Sequence, residues 1–365
     1  MKLKTVNNFK ELVLEDTPLI DVRAPIEFEK GAFKNAVNLP LMNNEERRLI
    51  GIRYKNNGNE AALKLGYKLV SGDIKKARVD AWIEFIKQNP NAVVYCFRGG
   101  QRSQIVQRWL KEKGVDVARI EGGYKAFRGY LIEQLDNMQG QFKPVRLGGR
   151  TGSGKTILLH KLQNSIDLEG LANHRGSAFG KHISPQPTQI NFENSLAYEL
   201  LHKINKNYKT LVFEDEGKNI GRVYLPQKLY EFINNSGLIL LDTPLEKRIE
   251  ITFNEYVVDE LVEYQKLFKS RAIEFWSTNM LDRIDKIERR LGGKRYKEIR
   301  EFFNLALKEH INSGNLEKHK LWIEPLLVKY YDPMYDYQIS KKEKNILFRG
   351  GEDEVIEYLR SFSSC

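Results

Sequence analysis

Cys96 heads the run Cys96-Phe97-Arg98-Gly99-Gly100-Gln101-Arg102-Ser103. A thiol attacks as its thiolate, and three features of this run favour that form. Glycines let backbone N–H groups close around the sulfur, Arg98 and Arg102 add positive charge, and the helix expected to follow turns its N-terminus toward the loop. The run therefore predicts a catalytic cysteine with two anion-holding arginines.

A second constellation begins fifty residues later. Gly149-Arg150-Thr151-Gly152-Ser153-Gly154-Lys155-Thr156 satisfies G-x-x-x-x-G-K-[ST] between an expected strand and an expected helix. Backbone N–H groups of Gly149, Gly152, Ser153 and Gly154 would cradle a diphosphate, Lys155 would neutralise it, and Thr156 could hold a magnesium ion. Leu211-Val212-Phe213-Glu214-Asp215-Glu216 resembles a Walker B segment, with Asp215 or Glu216 near the phosphates or metal. Between the two lies Asp167 to Gly180, Gly-dense and without period, in which the adjacent His174 and Arg175 read as ligand contacts.

Alternating short apolar strands and amphipathic helices must position these groups, which is the pattern of α/β domains. Leu19–Val22 and Ala92–Cys96 read as buried strands, 103–114 as a helix stopped by Gly114, and Val115–Ile120 as another strand. The polar stretch 137–141 reads as a linker, giving domains 1–137 and 141–365. The second pattern restarts with Val145-Arg146-Leu147 and continues with a helix from Lys155 to Ser165. Strands at Thr210–Phe213 and Gly237–Asp242 follow, then a charged helical elaboration over 245–312.

Composition narrows the class. The 365 residues are 41% hydrophobic and 11% aromatic, enough for sizeable cores in two domains. With two cysteines, neither a disulfide scaffold nor a Cys-rich zinc site is available, and no resident metal is expected. No apolar run approaches the ~20 residues that span a bilayer. Met1-Lys2-Leu3-Lys4 leads into Asn7-Asn8 instead of an apolar signal core, so a cytoplasmic protein without membrane attachment is expected. The net charge of +11 favours a polyanionic partner, RNA first. Residues 1–140 carry 24 basic and 17 acidic side chains, so both halves share the excess.

The first 5–135 residues resemble the rhodanese family. The likeness rests on Asp21-Val22-Arg23, Glu27-Phe28, Gly31 to Pro40, the Cys96 loop, and Glu121-Gly122-Gly123-Tyr124. It implies a cysteine that carries sulfur or selenium, with Asp21 and Arg23 as a structural ion pair. Nearly the whole chain is similar to the bacterial tRNA 2-selenouridine synthase family: a rhodanese-like domain followed by a P-loop NTPase-like domain. The supporting segments are the Cys96 loop with five residues between Cys96 and Arg102, Gly148 to Thr156, Asp167 to Gly180, Glu214-Asp215-Glu216 with Ile220-Gly221-Arg222, Trp322-Ile323, and Tyr330 to Tyr335.

That resemblance implies a two-step modification of the wobble 2-thiouridine in tRNAs for Lys, Glu and Gln. Geranyl diphosphate first alkylates the sulfur at the P-loop site, and selenium from selenophosphate then displaces the S-geranyl group at Cys96, with Arg98 and Arg102 on selenophosphate oxygens. It also places Arg222 with His174, Arg175, Asp215 and Glu216 at the substrate. No tightly bound cofactor is implied; both small molecules are co-substrates, with magnesium at most beside Thr156. The competing reading is an ATP-dependent tRNA sulfurtransferase, in which the P-loop activates a uridine oxygen and a Cys96 persulfide delivers sulfur. A third is a binding protein with a P-loop switch and an inert rhodanese module.

For the RNA itself, the segment 283–300 is strongly basic. Spacings of three and four put Arg283, Lys286 and Arg290 on one helical face, and Gly292-Gly293 breaks the helix. Arg289, Arg290, Lys294 and Arg295 would meet tRNA phosphates, and Tyr296 would stack on an unpaired base.

Overall fold

The computed structural model describes residues 3–177 and 179–362. The chain divides into two compact units, Met1–Met138 with Pro187–Asn207, and Gln139–Gln186 with Tyr208–Cys365.

The first unit is built on five parallel strands: β1 (Thr5–Val6), β2 (Leu19–Asp21), β3 (Ala36–Asn38), β4 (Val93–Tyr95) and β5 (Ala118–Ile120), in the order β1-β5-β4-β2-β3. Parallel strands are covered on both faces, so β2 and β4 are buried at every position. Ile20, Val22, Val94, Val106 and Leu110 anchor one core, closed by Trp82, whose indole N–H donates to the Leu39 carbonyl at 2.9 Å. The helix after the Cys96 loop runs Gln101–Glu112, starting two residues before the expected 103.

One element differs from a single cut at 137–141. The helix Gln189–Asn205 lies within the first unit, although the sequence reading assigns it to the second domain. Asn191 Oδ1 accepts the Ala32 N–H at 2.8 Å, and the fully buried Asn194 donates to the Ala32 carbonyl at 2.7 Å. Arg128 holds Asn194 Oδ1 at 2.8 Å and pairs with Glu193. An amphipathic helix declares that one face is buried, but its pattern does not say against which sheet.

The second unit has its own parallel sheet: β6 (Lys143–Gly149), β7 (Ser165–Ile166), β8 (Thr210–Glu214), β11 (Gly237–Leu241) and β12 (Ile346–Gly350), ordered β12-β11-β6-β8-β7. β9 (Asn219–Ile220) and β10 (Val223–Tyr224) form an antiparallel ribbon. The helix after the phosphate loop is shorter than expected. It spans Lys155–His160, and Ser165 opens β7. The expected helical elaboration is present, and its core gathers Tyr256, Trp276, Phe303, Trp322 and Tyr330. Two π-helical turns, Asn254–Asp259 and Leu327–Tyr331, interrupt it. No helix among the described residues is long and apolar enough to cross a membrane.

Candidate active sites

In the first unit Cys96 follows β4 directly and is 3% exposed. Its Sγ lies 3.3 Å from Ser103 Oγ, and that hydroxyl is 3.1 Å from the Gly100 carbonyl. The loop is tied down by backbone bonds from the turn after β5: Tyr124 N–H to the Cys96 carbonyl at 2.8 Å and Lys125 N–H to that of Phe97 at 3.0 Å. Gly123 permits this approach. A Cβ there would sit 2.3 Å from both the Cys96 carbonyl oxygen and the Gly99 nitrogen, and its φ of +61° is left-handed.

The two loop arginines differ. Arg98 is exposed, its guanidinium 5.9 Å from the Phe97 ring centre. Arg102 is engaged with Glu27 at 2.7 Å. Burial opposes ionisation of Glu27, yet the hydrogen bonds and charge of Arg102 hold its carboxyl below the ordinary range. Arg102 thus has a carboxylate partner already, and Arg98 is the loop arginine open to an incoming anion. Asp21 and Arg23 do form the expected buried pair, at 2.6 Å, with the Arg23 guanidinium 3.9 Å from the Tyr124 ring centre.

In the second unit β6 delivers the chain into the phosphate loop. A Cβ on Gly149 would meet Ser153 Oγ at 2.5 Å, and Gly152 and Gly154 turn through left-handed φ of +76° and +82°. Lys155 Nζ lies 3.1 Å from the Gly149 carbonyl oxygen, across the mouth of the loop. Thr156 Oγ1 donates to Glu214 at 3.3 Å, and the other oxygen of Glu214 accepts the Glu169 N–H at 2.8 Å.

The acid beside Thr156 is therefore Glu214, not Asp215 or Glu216. Side chains alternate along a strand and its continuation. Glu214 and Glu216 turn toward the loop, while Asp215 turns to Arg146 at 2.9 Å and Lys342 at 2.8 Å. Burial, then the charges of Glu214 and Glu216, push the Glu169 carboxyl up to about 10; burial, then Asp167, raises Glu214 to about 8. Glu216 is raised by burial too, with Lys155 pulling the other way.

A cleft with about 2000 Å³ of atom-free space opens over the phosphate loop, bounded by Glu169, Glu216 and both π-turns. The π-turns set Glu255, Tyr256, Tyr330 and Tyr331 along it; such turns recur at functional sites. His174 and Arg175 line this cleft as the sequence suggests. Burial, then Arg283 and Arg175, lowers the His174 imidazole, and the same influences with burial foremost bring His182 down to about 4. The His182 ring is accordingly neutral at physiological pH. Arg175 donates to Glu260 at 2.6 Å.

Arg222 does not join the cleft. It is exposed on the β9–β10 turn, and its backbone N–H donates to Gln186 at 2.8 Å. The basic segment is also rearranged. Arg283 is buried, held by Glu260 at 2.9 Å and by the Lys181 carbonyl at 2.7 Å, so it offers no face to RNA. Tyr296 is half-buried against the helical core, with its hydroxyl on Asp285 at 2.8 Å. Arg289, Arg290, Lys294 and Arg295 are exposed, and Arg290 also borders the cleft. Arg295 touches the Lys329 carbonyl at 3.2 Å.

Sequence reasoning missed Glu169, Glu214 and His182. Period-two counting along β8 would have paired Glu214 with Glu216, and the Asp167 N-cap marks a short helix, Leu168–Ala172, that presents Glu169.

A cysteine at a strand end inside a tight loop, and a phosphate loop on a separate parallel sheet, define a rhodanese-like domain joined to a P-loop domain of the AAA kind. Family models agree: a rhodanese-like domain matches residues 5–130, and the tRNA 2-selenouridine synthase AAA domain matches 142–365. The chain is 55% identical to the tRNA 2-selenouridine synthase of Sulfurovum sp. (strain NBC37-1), over 99% of each chain. It is 47% identical to that of Hydrogenovibrio crunogenus over 97% of this chain and 98% of the relative. Against that of Pseudomonas fluorescens (strain Pf0-1) it is 48% identical, over 97% of each. The chain belongs to the tRNA 2-selenouridine synthase family.

Proposed function

We propose that this chain converts the wobble 2-thiouridine of tRNAs for Lys, Glu and Gln to 2-selenouridine through an S-geranyl intermediate. In the first step the thiocarbonyl sulfur attacks the allylic carbon of geranyl diphosphate. Pyrophosphate leaves, and the base loses its N3 proton to keep C2 conjugated. The phosphate loop holds the diphosphate, Lys155 stabilises the departing charge, and Thr156 and Glu214 would hold a magnesium ion that offsets the diphosphate charge.

In the second step selenophosphate and water are consumed, and geranylthiol and phosphate are released. C2–Se replaces C2–S, and N3 regains a proton. Alkylation makes this possible, because a thioether sulfur leaves more readily than a thione sulfur. Cys96 handles the selenium, with Arg98 on the selenophosphate oxygens.

The observation that supports this reading best is the cleft itself. Beyond the phosphate loop its wall combines polar and charged groups with Tyr256, Tyr330, Tyr331, Met334 and Tyr335, and these five offer a surface suited to an apolar chain tethered to a diphosphate. The test is mass spectrometry of tRNA nucleosides after incubation with geranyl diphosphate, with and without selenophosphate. S-geranyl-2-thiouridine is expected without the selenium donor and 2-selenouridine with it. RNA-stimulated ATP hydrolysis accompanied by sulfur insertion would replace this reading with the ATP-dependent sulfurtransferase.

A further inference from the structure

The first unit carries an apolar groove that the two-step reading leaves without a role. It has about 570 Å³ of atom-free space, mouth included, and lies between the helices Asn44–Leu69 and Gln101–Glu112. Ile50, Ala62, Leu63, Tyr67, Ile105 and Trp109 line it. The long helix is broken at Gly58, where φ is +78° and ψ −175°, and residues from both of its segments line the groove.

Two facts tie this groove to the cysteine. Its wall includes Gln101 and Arg102, the residues that lead from the Cys96 loop into the helix, and Ser103, next in the chain, touches the Cys96 sulfur. Its charge is also spent. Arg102 is held by Glu27, so the groove offers an anion little and an apolar group much. A phosphate or a polar nucleoside alone would gain nothing from Leu63, Ile105 and Trp109, whereas a branched hydrocarbon would lose its water-exposed surface there.

We infer that this groove holds the ten-carbon chain of the S-geranyl nucleoside while its C2 faces Cys96, a proposal that rests on the two-step reading. The subsite adds no bond-making step. It orients the group to be displaced and receives it as it departs. It also gives the enzyme a means to favour alkylated over unalkylated 2-thiouridine in the selenium step.

The test fills the groove with Leu63→Trp and compares two measurements. Calorimetric binding of the nucleoside S-geranyl-2-thiouridine is expected to weaken at least tenfold in the variant, while S-methyl-2-thiouridine binds both proteins equally and weakly. On purified S-geranyl tRNA, selenation is expected to fall at least tenfold, with geranylation of 2-thiouridine tRNA unchanged and with a near-UV circular dichroism spectrum and thermal unfolding profile like the wild type's as proof that the first unit is intact. Equal binding of the geranyl nucleoside to wild type and Leu63→Trp, or undiminished selenation by a variant that geranylates normally, would overturn the proposal. The calorimetry does not depend on catalysis. Failure of the groove therefore shows there, whereas failure of the two-step reading shows as a wild-type protein that forms no geranylated tRNA.

Discussion

Lys155 Nζ lies 3.1 Å from the Gly149 carbonyl oxygen of the phosphate loop, and it faces a site lined by raised carboxylates. Lys155→Ala is expected to slow geranylation by about a hundred- to a thousandfold, the size of losing one preorganised donor to developing charge. Initial rates of S-geranyl tRNA formation measure it, and unchanged affinity for geranyl diphosphate would move the diphosphate elsewhere. Glu169 bears on stability. Its carboxyl, ordinarily near 4.5, is pushed to about 10 by burial first and by Glu214 and Glu216 next. The folded chain keeps a proton that the unfolded chain gives up. The stability this contributes is complete below 4.5 and is lost as pH climbs through about 10. Glu169→Gln removes that loss, so its unfolding midpoint should gain on the wild type steadily from about pH 6 to about pH 9. A constant gap across that range would mean that Glu169 is ionised in the folded protein.

At the scale of elements, the basic segment splits by burial. The helix Ala272–Lys286 turns Arg283 inward, and the chain beyond it leaves Arg289, Lys294 and Arg295 outside. Replacing those three with Gln is expected to lower the log–log salt slope of tRNA binding by two to three units, a little under one per lost phosphate contact. An unaltered slope would place the tRNA surface elsewhere. Arg283→Ala should behave differently. It leaves Glu260, which is 1% exposed, with Arg175 alone, and should cost about 1–3 kcal/mol of stability in denaturant unfolding. A soluble, fully stable Arg283→Ala protein with weakened tRNA binding would restore the expectation of a continuous basic face.

At the scale of the molecule, the two proposed steps fall in two compact units. Cys96→Ala is expected to geranylate normally and to make no 2-selenouridine, and Lys155→Ala to selenate tRNA that is already geranylated. A mixture of the two variants should therefore form 2-selenouridine from 2-thiouridine tRNA, provided the S-geranyl tRNA leaves one molecule for another. Accumulation of S-geranyl tRNA in the mixture without selenation would mean that the intermediate never passes between chains. Loss of geranylation in a folded Cys96→Ala protein would refute the division of labour itself.

Much of this was legible in the residues because the information is local. A strand, a Gly-rich turn and a helix are consecutive in sequence, so the Cys96 loop and the phosphate loop could be read along the chain, whereas the order of strands in each sheet could not. The left-handed turns at Gly152 and Gly154 are local for the same reason. What only the tertiary structure decided is which distant groups meet. Glu27 engages Arg102 across 75 residues of chain, Glu260 draws Arg283 inward, Glu169 and Glu214 share a buried corner, and the helix Gln189–Asn205 packs on helices of the first unit instead of joining the second. Periodicity reports that a face is buried and charge reports that a partner is needed. Neither names the partner, because packing and desolvation are settled by the whole folded neighbourhood.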